Sequence, residues 1–393
     1  MPDTTLGRSL LRHPRPARTQ ARGGWPRCPL DLGAKPVYQD HRKKTVGRSW
    51  KAVKTMHADL FTSIATTATI SACVYLLVAT VLAWTDRPTT PAKAPKGIDF
   101  LASINADYSH LPDQRSLTSR SGAPLAYRLY GEVVAPKRMI VLVHGSGWHG
   151  MQFHSLASEL SQDGETVVVV PDLRGHGANP ERRGDVDHIG QLEDDLADLI
   201  EVASAGLTDV PVILAGHSSG GGLVVRFAGG KHGQMADGFI LIAPFLKYNA
   251  PTTRAKSGGW AFPAVRRIIG LSMLNTVGIT ALNRLPVIAF AMPQAVLDGP
   301  YGGTATTTYS YRLNTSFAPR SNYQADLRAM TRPLLLLAGA DDEAFNVSLY
   351  EPVISAQTST GTYEVLPNAG HISILTDARA SAAIKGWLTA TGL

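Results

Sequence analysis

Short uninterrupted runs of apolar residues constrain the fold of this chain more than any other feature of its sequence. They include IVLV at 140–143, VVVV at 167–170 and LLLL at 334–337. Runs of this length, without polar alternation, are typical of strands that are covered on both faces, as in a parallel sheet. The sequence predicts strands at 125–130, 139–144, 166–172, 210–216, 238–243, 334–339 and 363–366.

Helical patterns separate these strands. Their periodicity predicts helices at 151–162, 189–205, 221–228 and 377–388. Strands that alternate with helices favour an α/β fold built on a mostly parallel, doubly wound sheet. The interval 246–330 interrupts the alternation without a clean strand, and much of 260–293 is apolar. Because ordinary connections are far shorter, we expect an inserted helical cap at about 246–330.

The strongest chemical signal is the pentapeptide Gly216-His217-Ser218-Ser219-Gly220, which follows an apolar strand and precedes a helix start. A serine in a tight strand-to-helix turn needs small neighbours, since the backbones pass closely and leave its hydroxyl exposed. The adjoining helix N-terminus favours developing negative charge. This context predicts that Ser218 is a nucleophile.

A serine nucleophile needs a base, and the base needs an orienting carboxylate. His371 follows the last predicted strand, and Asp342 follows the strand LLLLAG. Both positions are carboxyl ends of strands, where sites gather in open α/β sheets. The order Ser218, Asp342, His371 is the order expected for a catalytic triad on this type of sheet. Asp341 is adjacent and stays open as an alternative acid.

The loop after the strand at 139–144 contains two glycines, Gly145 and Gly147, that allow a close approach to a substrate oxygen. Acyl transfer requires backbone donors that stabilise an oxyanion. We expect these donors to be the N–H groups of Ser146 and Ser219.

Three side chains that follow this loop, Trp148, Met151 and Phe153, are candidates to bind substrate. Simple packing beneath the cap explains them equally well. His144, His149 and His154 recur at five-residue spacing, but they span a loop and a helix start without an accompanying carboxylate motif. We therefore expect no metal site there.

Five segments together resemble the α/β-hydrolase superfamily, and most closely its branch of monoacylglycerol lipases, lysophospholipases and serine aminopeptidase-like hydrolases. They are HGSG at 144–147, DLRGHG at 172–177, GHSSG at 216–220, Gly339-x-x-Asp342 and Gly370-His371. The resemblance covers about 116–393. It implies ester hydrolysis through an acyl-enzyme, a cap before the acid-bearing strand, and no metal or organic cofactor. It also implies a structural role for Arg174 and His176.

The N-terminal region differs in composition from the rest of the chain. Residues 1–59 contain 13 Lys and Arg against 4 Asp and Glu, whereas the whole chain carries a net charge of only +7. The remainder is therefore slightly acidic, which argues against nucleic-acid binding. We expect 1–59 to be a basic disordered tail, although a true start at Met56 is an alternative.

Residues 60–84 contain no charged side chain and are long enough to cross a bilayer. A cleaved signal peptide, a lipoprotein signal at Cys73 and a buried soluble helix are the alternatives. An uncleaved transmembrane anchor fits best, because Lys and Arg precede it and Trp84 ends it. This orientation predicts a cytoplasmic N-terminus and a catalytic domain on the outer, periplasmic or extracellular, side. The domains are then anchor 60–84, linker 85–115 and hydrolase 116–393.

These observations favour a membrane-anchored serine hydrolase that cleaves esters of single-acyl-chain lipids, of the lysophospholipase or monoacylglycerol lipase type. A serine peptidase is the nearest alternative, but its substrate amine calls for an acidic patch, and 254–293 contains no Asp or Glu. A non-catalytic, membrane-tethered binding protein is a third possibility, which the complete set of triad and oxyanion elements disfavours.

Overall fold

The computed structural model of this chain describes residues 41–90, 97–100, 106–131, 134–177 and 181–393. It divides into two compact units, Met1–Ala68 and Thr69–Leu393. In the first unit the described residues belong to the long helix α1 (His41–Thr85), whose last part lies in the second unit.

The second unit is built on an eight-stranded sheet with the strand order β1-β2-β4-β3-β5-β6-β10-β11. The first two pairings are antiparallel and all the others are parallel. The strands are β1 (Arg115–Thr118), β2 (Pro124–Tyr130), β3 (Arg138–Val143), β4 (Thr166–Pro171), β5 (Val212–His217), β6 (Gly238–Ile242), β10 (Leu334–Gly339) and β11 (Gly361–Leu366).

Helices cover both faces of this sheet. Along β3, Met139 and Val141 face one apolar cluster, while Ile140 and Leu142 face the other. Successive side chains of a strand point to opposite faces, so two covered faces require a continuous apolar run. The helices are α2 (His154–Ser161), α3 (Gln191–Ala203), α4 (Ser219–Ala228), α5 (Val265–Thr276), α6 (Tyr311–Phe317), α7 (Tyr323–Arg328), α8 (Tyr350–Ser355) and α9 (Ala378–Thr391). Shorter helical turns are Gly150–Phe153, Gly233–Met235, Lys256–Gly259, Gln294–Leu297, Gly302–Thr304, Val347–Leu349 and Ser373–Thr376.

The mostly parallel α/β architecture is the predicted one, but the cap differs from the prediction. It contains α5 together with a three-stranded antiparallel sheet of β7 (Ala261–Pro263), β8 (Pro286–Phe290) and β9 (Thr308–Ser310). The cap that we expected to be helical, with no clean strand, therefore contains three short strands as well as helices. These strands are three to five residues long, and proline ends one and begins another. Such short segments carry too few residues for a period of two to be visible.

The N-terminal helix also differs from the prediction. Residues 41–59, which we expected to be disordered, form the first part of α1, whereas 1–40 lie outside the described residues. No proline interrupts the sequence between Pro36 and Pro88, and adding a residue to an existing helix costs less free energy than nucleating a new one.

Within α1, Arg48–Thr85 is long and apolar enough to cross a membrane, with a mean hydropathy of 1.9 over its most apolar window.

The predicted linker 85–115 is not a uniform spacer. After α1 ends at Thr85, the described segment 97–100 packs against the hydrolase core, and Ile98 and Phe100 are buried there. Residues 91–96 and 101–105 lie outside the described residues.

Candidate active site

Ser218 lies in the turn between β5, which ends at His217, and α4, which begins at Ser219. Its backbone has φ 54° and ψ −120°, a conformation that residues other than glycine rarely adopt. A Cβ at Gly216 would lie 2.4 Å from the Gly220 carbonyl oxygen, and one at Gly220 would lie 2.1 Å from that of Val143. Both glycines are therefore required for the turn that places Ser218 at the wall of the cavity.

The structure brings together the three residues that the sequence singles out as a triad. His371 Nε2 lies 3.0 Å from Ser218 Oγ, and His371 Nδ1 lies 2.8 Å from Asp342 Oδ2. All three residues are buried. Since a carboxylate only accepts hydrogen bonds, Nδ1 carries a proton, and a neutral His371 then has Nε2 free to accept one from Ser218.

Asp342, and not its neighbour Asp341, contacts His371. The other oxygen of Asp342, Oδ1, accepts hydrogen bonds from the backbone N–H groups of Ala344 at 2.8 Å and Phe345 at 2.9 Å. Asp341 is exposed. The two backbone donors fix the carboxylate so that Oδ2 points at the imidazole.

The main chain of His371 is also held on both sides. Its N–H donates to Glu343 at 2.9 Å, and its carbonyl oxygen accepts from His217 Nε2 at 2.9 Å. Burial, followed by the nearby His371, lowers the pKa of His217 well below its ordinary value. A neutral His217 ring that carries its proton on Nε2 can donate to the His371 carbonyl oxygen. Its Nδ1 then accepts a hydrogen bond from the Gln152 amide at 3.2 Å. Sequence reasoning missed this role, although His217 lies inside the serine pentapeptide.

Ser146 and Ser219, the predicted oxyanion donors, line one cavity together with Ser218. A Cβ at Gly145 would lie 3.2 Å from the Ser218 Cβ, so this loop passes very close to the nucleophile. The Ser146 hydroxyl accepts a hydrogen bond from the Trp260 indole at 3.0 Å. The cap thereby contacts the loop beside Ser218.

A tyrosine of the cap holds the same loop from a second direction. The Tyr309 hydroxyl accepts from the Gly147 N–H at 2.7 Å and lies 2.6 Å from His176 Nε2. His176 Nδ1 lies 3.1 Å from the Arg174 carbonyl oxygen, which can only accept, so Nε2 accepts the Tyr309 proton. Burial lowers the pKa of His176 well below its ordinary value, which favours the neutral ring that this arrangement needs.

Two adjoining cavities meet at Ser218, of about 520 Å³ and about 330 Å³ when the space that opens to solvent is included. The larger is predominantly apolar and includes Phe245, Phe290, Phe317 and Phe345. The smaller includes His371, Trp148 and Gln152. Both are also lined by Ile98, Ser146 and Trp260.

Ile98 lies in the segment that the sequence predicted to be a linker, so sequence reasoning missed it. Several apolar residues follow the Pro- and Lys-rich run, at 98, 100, 101 and 104, but they do not reveal that the chain returns to the site.

The three predicted substrate-binding side chains have different surroundings. Trp148 lines the smaller cavity. Phe153 packs in the apolar cluster beneath the sheet with Leu156 and Leu160. Met151 is buried, and neither cavity at Ser218 is lined by Met151 or Phe153. The helical turn Gly150–Phe153 that contains both residues leads directly into α2.

Comparison with known families agrees with this geometry. The family described as "Serine aminopeptidase, S33" matches residues 134–378, which include Ser218, Asp342 and His371. The chain belongs to the serine aminopeptidase S33 family. This membership agrees with the serine hydrolase that the sequence predicts.

Two curated relatives match this chain over segments of different length. A monoacylglycerol lipase of Mycolicibacterium smegmatis is 26% identical over 243 residues, 60% of this chain and 81% of the relative. An uncharacterized abhydrolase domain-containing protein of Dictyostelium discoideum is 32% identical over 123 residues, 31% of this chain. The chain spans only 13% of the length of that second relative.

Among solved structures, a soluble variant of monoglyceride lipase from Saccharomyces cerevisiae in complex with a substrate analog has a TM-score of 0.57 and 18% sequence identity. The match covers 77% of this chain and 99% of that one. It supports the α/β-hydrolase fold.

We predict that Tyr309→Phe lowers the free energy of unfolding by about 1–3 kcal/mol, because the Gly147 N–H and His176 Nε2 both lose a buried partner. Urea unfolding of the detergent-solubilised protein measures the change. Tyr248→Phe, at a hydroxyl-bearing ring that is 78% exposed, is the matched control and should change the free energy little. Equal effects of the two substitutions would contradict the role of Tyr309.

Proposed function

We propose that this chain is a membrane-anchored serine hydrolase that cleaves carboxylic esters of single-acyl-chain lipids, such as monoacylglycerols or lysophospholipids. The observation that carries the proposal is the hydrogen-bonded series Ser218–His371–Asp342 beside a predominantly apolar cavity. The apolar lining supplies affinity for a hydrocarbon chain, and the series supplies the nucleophile.

In the first half-reaction, Ser218 Oγ attacks the ester carbonyl and His371 Nε2 takes the hydroxyl proton. Asp342 stabilises the resulting imidazolium, and the N–H groups of Ser146 and Ser219 stabilise the oxyanion. His371 then donates the proton to the leaving alkoxide, which leaves Ser218 acylated. In the second half-reaction His371 activates water, which releases the carboxylic acid and restores the serine.

From the position of His371 we infer which cavity holds the alcohol of the substrate and which holds its acyl chain. Because His371 gives its proton to the leaving alcohol, the alcohol lies in the smaller cavity, which contains His371, Gln152 and Trp148. The acyl chain then occupies the larger cavity with its four phenylalanines. The amide of Gln152 is a suitable partner for a hydroxyl of a polar alcohol.

The membrane anchor is the segment of α1 within Arg48–Thr85. The threonines that dilute its first half are compatible with lipid, because their hydroxyls bond back to carbonyls one turn earlier. Thr62 bonds to Ala58 at 2.8 Å, and Thr66 bonds to Thr62 at 2.8 Å. The basic residues before the segment favour a cytoplasmic N-terminus and an outer catalytic domain.

An aminopeptidase is the second candidate, since the matching family carries that description. Such an enzyme must hold a charged substrate amine, which calls for a carboxylate near the nucleophile. Among the described residues that line the two cavities there is no Asp or Glu. This observation favours an ester with a neutral acyl chain.

We predict that a fluorophosphonate probe labels the native protein and does not label Ser218→Ala, because the probe reacts with an activated serine. Gel fluorescence of the full chain in detergent measures labelling. Ser321→Ala, which removes an exposed serine hydroxyl of the same domain, is the matched control and should label normally. Absent labelling of the folded native protein would exclude the hydrolase.

We predict that kcat/KM for p-nitrophenyl esters rises from acetate to medium-chain acyl groups, by roughly a factor of three or four per added methylene, since each buried CH₂ contributes about 0.8 kcal/mol. The rise ends where the chain fills the larger cavity. Aminoacyl p-nitroanilides should be hydrolysed far more slowly. A preference for the anilides would instead establish the peptidase.

A further inference from the structure

We propose that the cap inserts one of its hairpins into the bilayer beside the anchor, so that a lipid membrane is the binding partner of the cap. The hairpin consists of residues 265–285, which are α5 and the turn that leads from it to β8. The inference rests on the proposed anchor, and it adds a second membrane-binding element in the catalytic domain itself.

The end of α1 and the hairpin pack against each other along their lengths. The Tyr75 hydroxyl donates to the Met273 carbonyl oxygen at 3.0 Å, and Arg267 Nε donates to that of Ala83 at 2.8 Å. The Arg266 N–H donates to Asp86 at 3.0 Å. Later residues of α1 meet earlier residues of α5, so the two helices are antiparallel. The far end of α5 therefore lies beside the part of α1 that is deeper in the predicted span.

Small residues allow this pair to approach closely. A Cβ at Gly270 would lie 2.4 Å from the Ala79 carbonyl oxygen and 2.6 Å from the Ala83 nitrogen. Ala79 and Ala83 are completely buried by this contact. Backbones that meet through Gly and Ala are typical of helices that associate inside membranes. The hairpin thus uses a packing mode suited to a lipid environment.

The other side of the hairpin is exposed and apolar. Val265, Ile269 and Val277 are 55%, 47% and 53% exposed. Large apolar side chains that remain exposed close together mark an interaction surface. On α1, which packs against the hairpin, Leu77, Val81 and Trp84 are 64%, 48% and 52% exposed. Because α1 is the proposed anchor, the lipid that surrounds α1 also covers the hairpin.

Charge follows the pattern of a segment that enters a membrane and returns. No charged residue occurs from 268 to 283, whereas Arg266 and Arg267 precede this interval and Arg284 follows it. Arg267 is buried and bonds to the Ala83 carbonyl oxygen, but Arg266 and Arg284 are exposed. Exposed arginines at both ends of an uncharged segment are placed to meet lipid phosphates at the headgroup level. No acidic residue occurs in 254–293 to oppose that attraction.

Three polar side chains within the hairpin, those of Asn275, Asn283 and Thr276, have hydrogen-bond partners inside it. Asn275 and Asn283 exchange two hydrogen bonds through their side-chain amides, at 2.7 Å and 2.8 Å. The Thr276 hydroxyl donates to the Met273 carbonyl oxygen at 2.7 Å. Unpaired polar groups are costly in hydrocarbon, so this pairing lowers the free energy of insertion.

The hairpin lies directly behind the wall of the larger cavity. In β8, Val287 packs in the apolar cluster with Ala79, Ala83 and Leu271, while its neighbour Ile288 lines the cavity at Ser218. A single strand therefore separates the membrane-contacting element from the substrate site. This arrangement suits a substrate that reaches Ser218 from the bilayer.

Depth-dependent fluorescence quenching tests insertion in the full-length protein. A probe on Ile279→Cys, in a background with Cys28→Ser and Cys73→Ala, is placed in nanodiscs of phosphatidylcholine and phosphatidylglycerol that contain spin-labelled acyl chains. Val78→Cys in the anchor and Val202→Cys on α3 are comparison sites, and the three native side chains are 39%, 45% and 46% exposed. We expect quenching at Ile279 of the same order as at Val78, and little at Val202.

Quenching at Val78 without quenching at Ile279 would overturn the inserted hairpin and leave the anchor intact. Quenching at neither site would overturn the anchor and the hairpin together. Fluorophosphonate labelling of the same samples reports separately on the hydrolase.

A substitution at the helix contact tests whether the anchor holds the hairpin. Gly270→Leu should lower hydrolysis of a long-chain monoacylglycerol embedded in the bilayer about tenfold, while hydrolysis of a short water-soluble ester is retained. Gly386→Leu is the matched control, because a Cβ at Gly386 on α9 meets no atom within 4 Å. Equal changes in the two rates, or no change in either, would contradict the proposal.

Discussion

The imidazole of His371 is the point on which the catalytic arrangement depends. Ser218 and Asp342 bond to its two ring nitrogens, and His217 and Glu343 bond to its main chain. The four contacts come from two segments at the carboxyl edge of the sheet, His217-Ser218 after β5 and Asp342-Glu343 after β10. A general base must lie within hydrogen-bond reach of the proton that it abstracts. The segments after β5 and β10 hold the His371 imidazole in such a position.

The cap also holds the loop next to Ser218 in place. Trp260 bonds to Ser146 and Tyr309 bonds to Gly147, so two aromatic residues of the cap hold the loop beside Ser218. The same two rings line the larger cavity. In the proposed mechanism, substrate binding and oxyanion stabilisation therefore depend on the same two side chains, and the cap connects them to the hairpin that we place in the membrane.

Local sequence signals are sufficient to predict the sheet and the three side chains of the series Ser218–His371–Asp342. The predicted bounds of the strand 334–339 are the observed ones, because four consecutive leucines followed by Ala-Gly mark both the strand and its end. The cap strands were missed because each is short, and the helical residues 41–59 because a basic composition suggested disorder. Contacts between distant segments carry no local signal at all. Tyr309 bonds to Gly147, which lies 162 residues away in the sequence. Ile98 lines the cavity at Ser218, although its segment is predicted to be a linker.

The choice of acid tests the central claim most directly, since Asp341 and Asp342 are adjacent and only one contacts His371. The measurement is kcat for a soluble ester with Asp342→Asn and Asp341→Asn, with thermal melting to check the fold. We predict a loss of about 10⁴-fold for Asp342→Asn, because the amide no longer holds the required tautomer. We predict a change within about twofold for the exposed Asp341. Equal losses, or a larger loss for Asp341→Asn, would contradict the account.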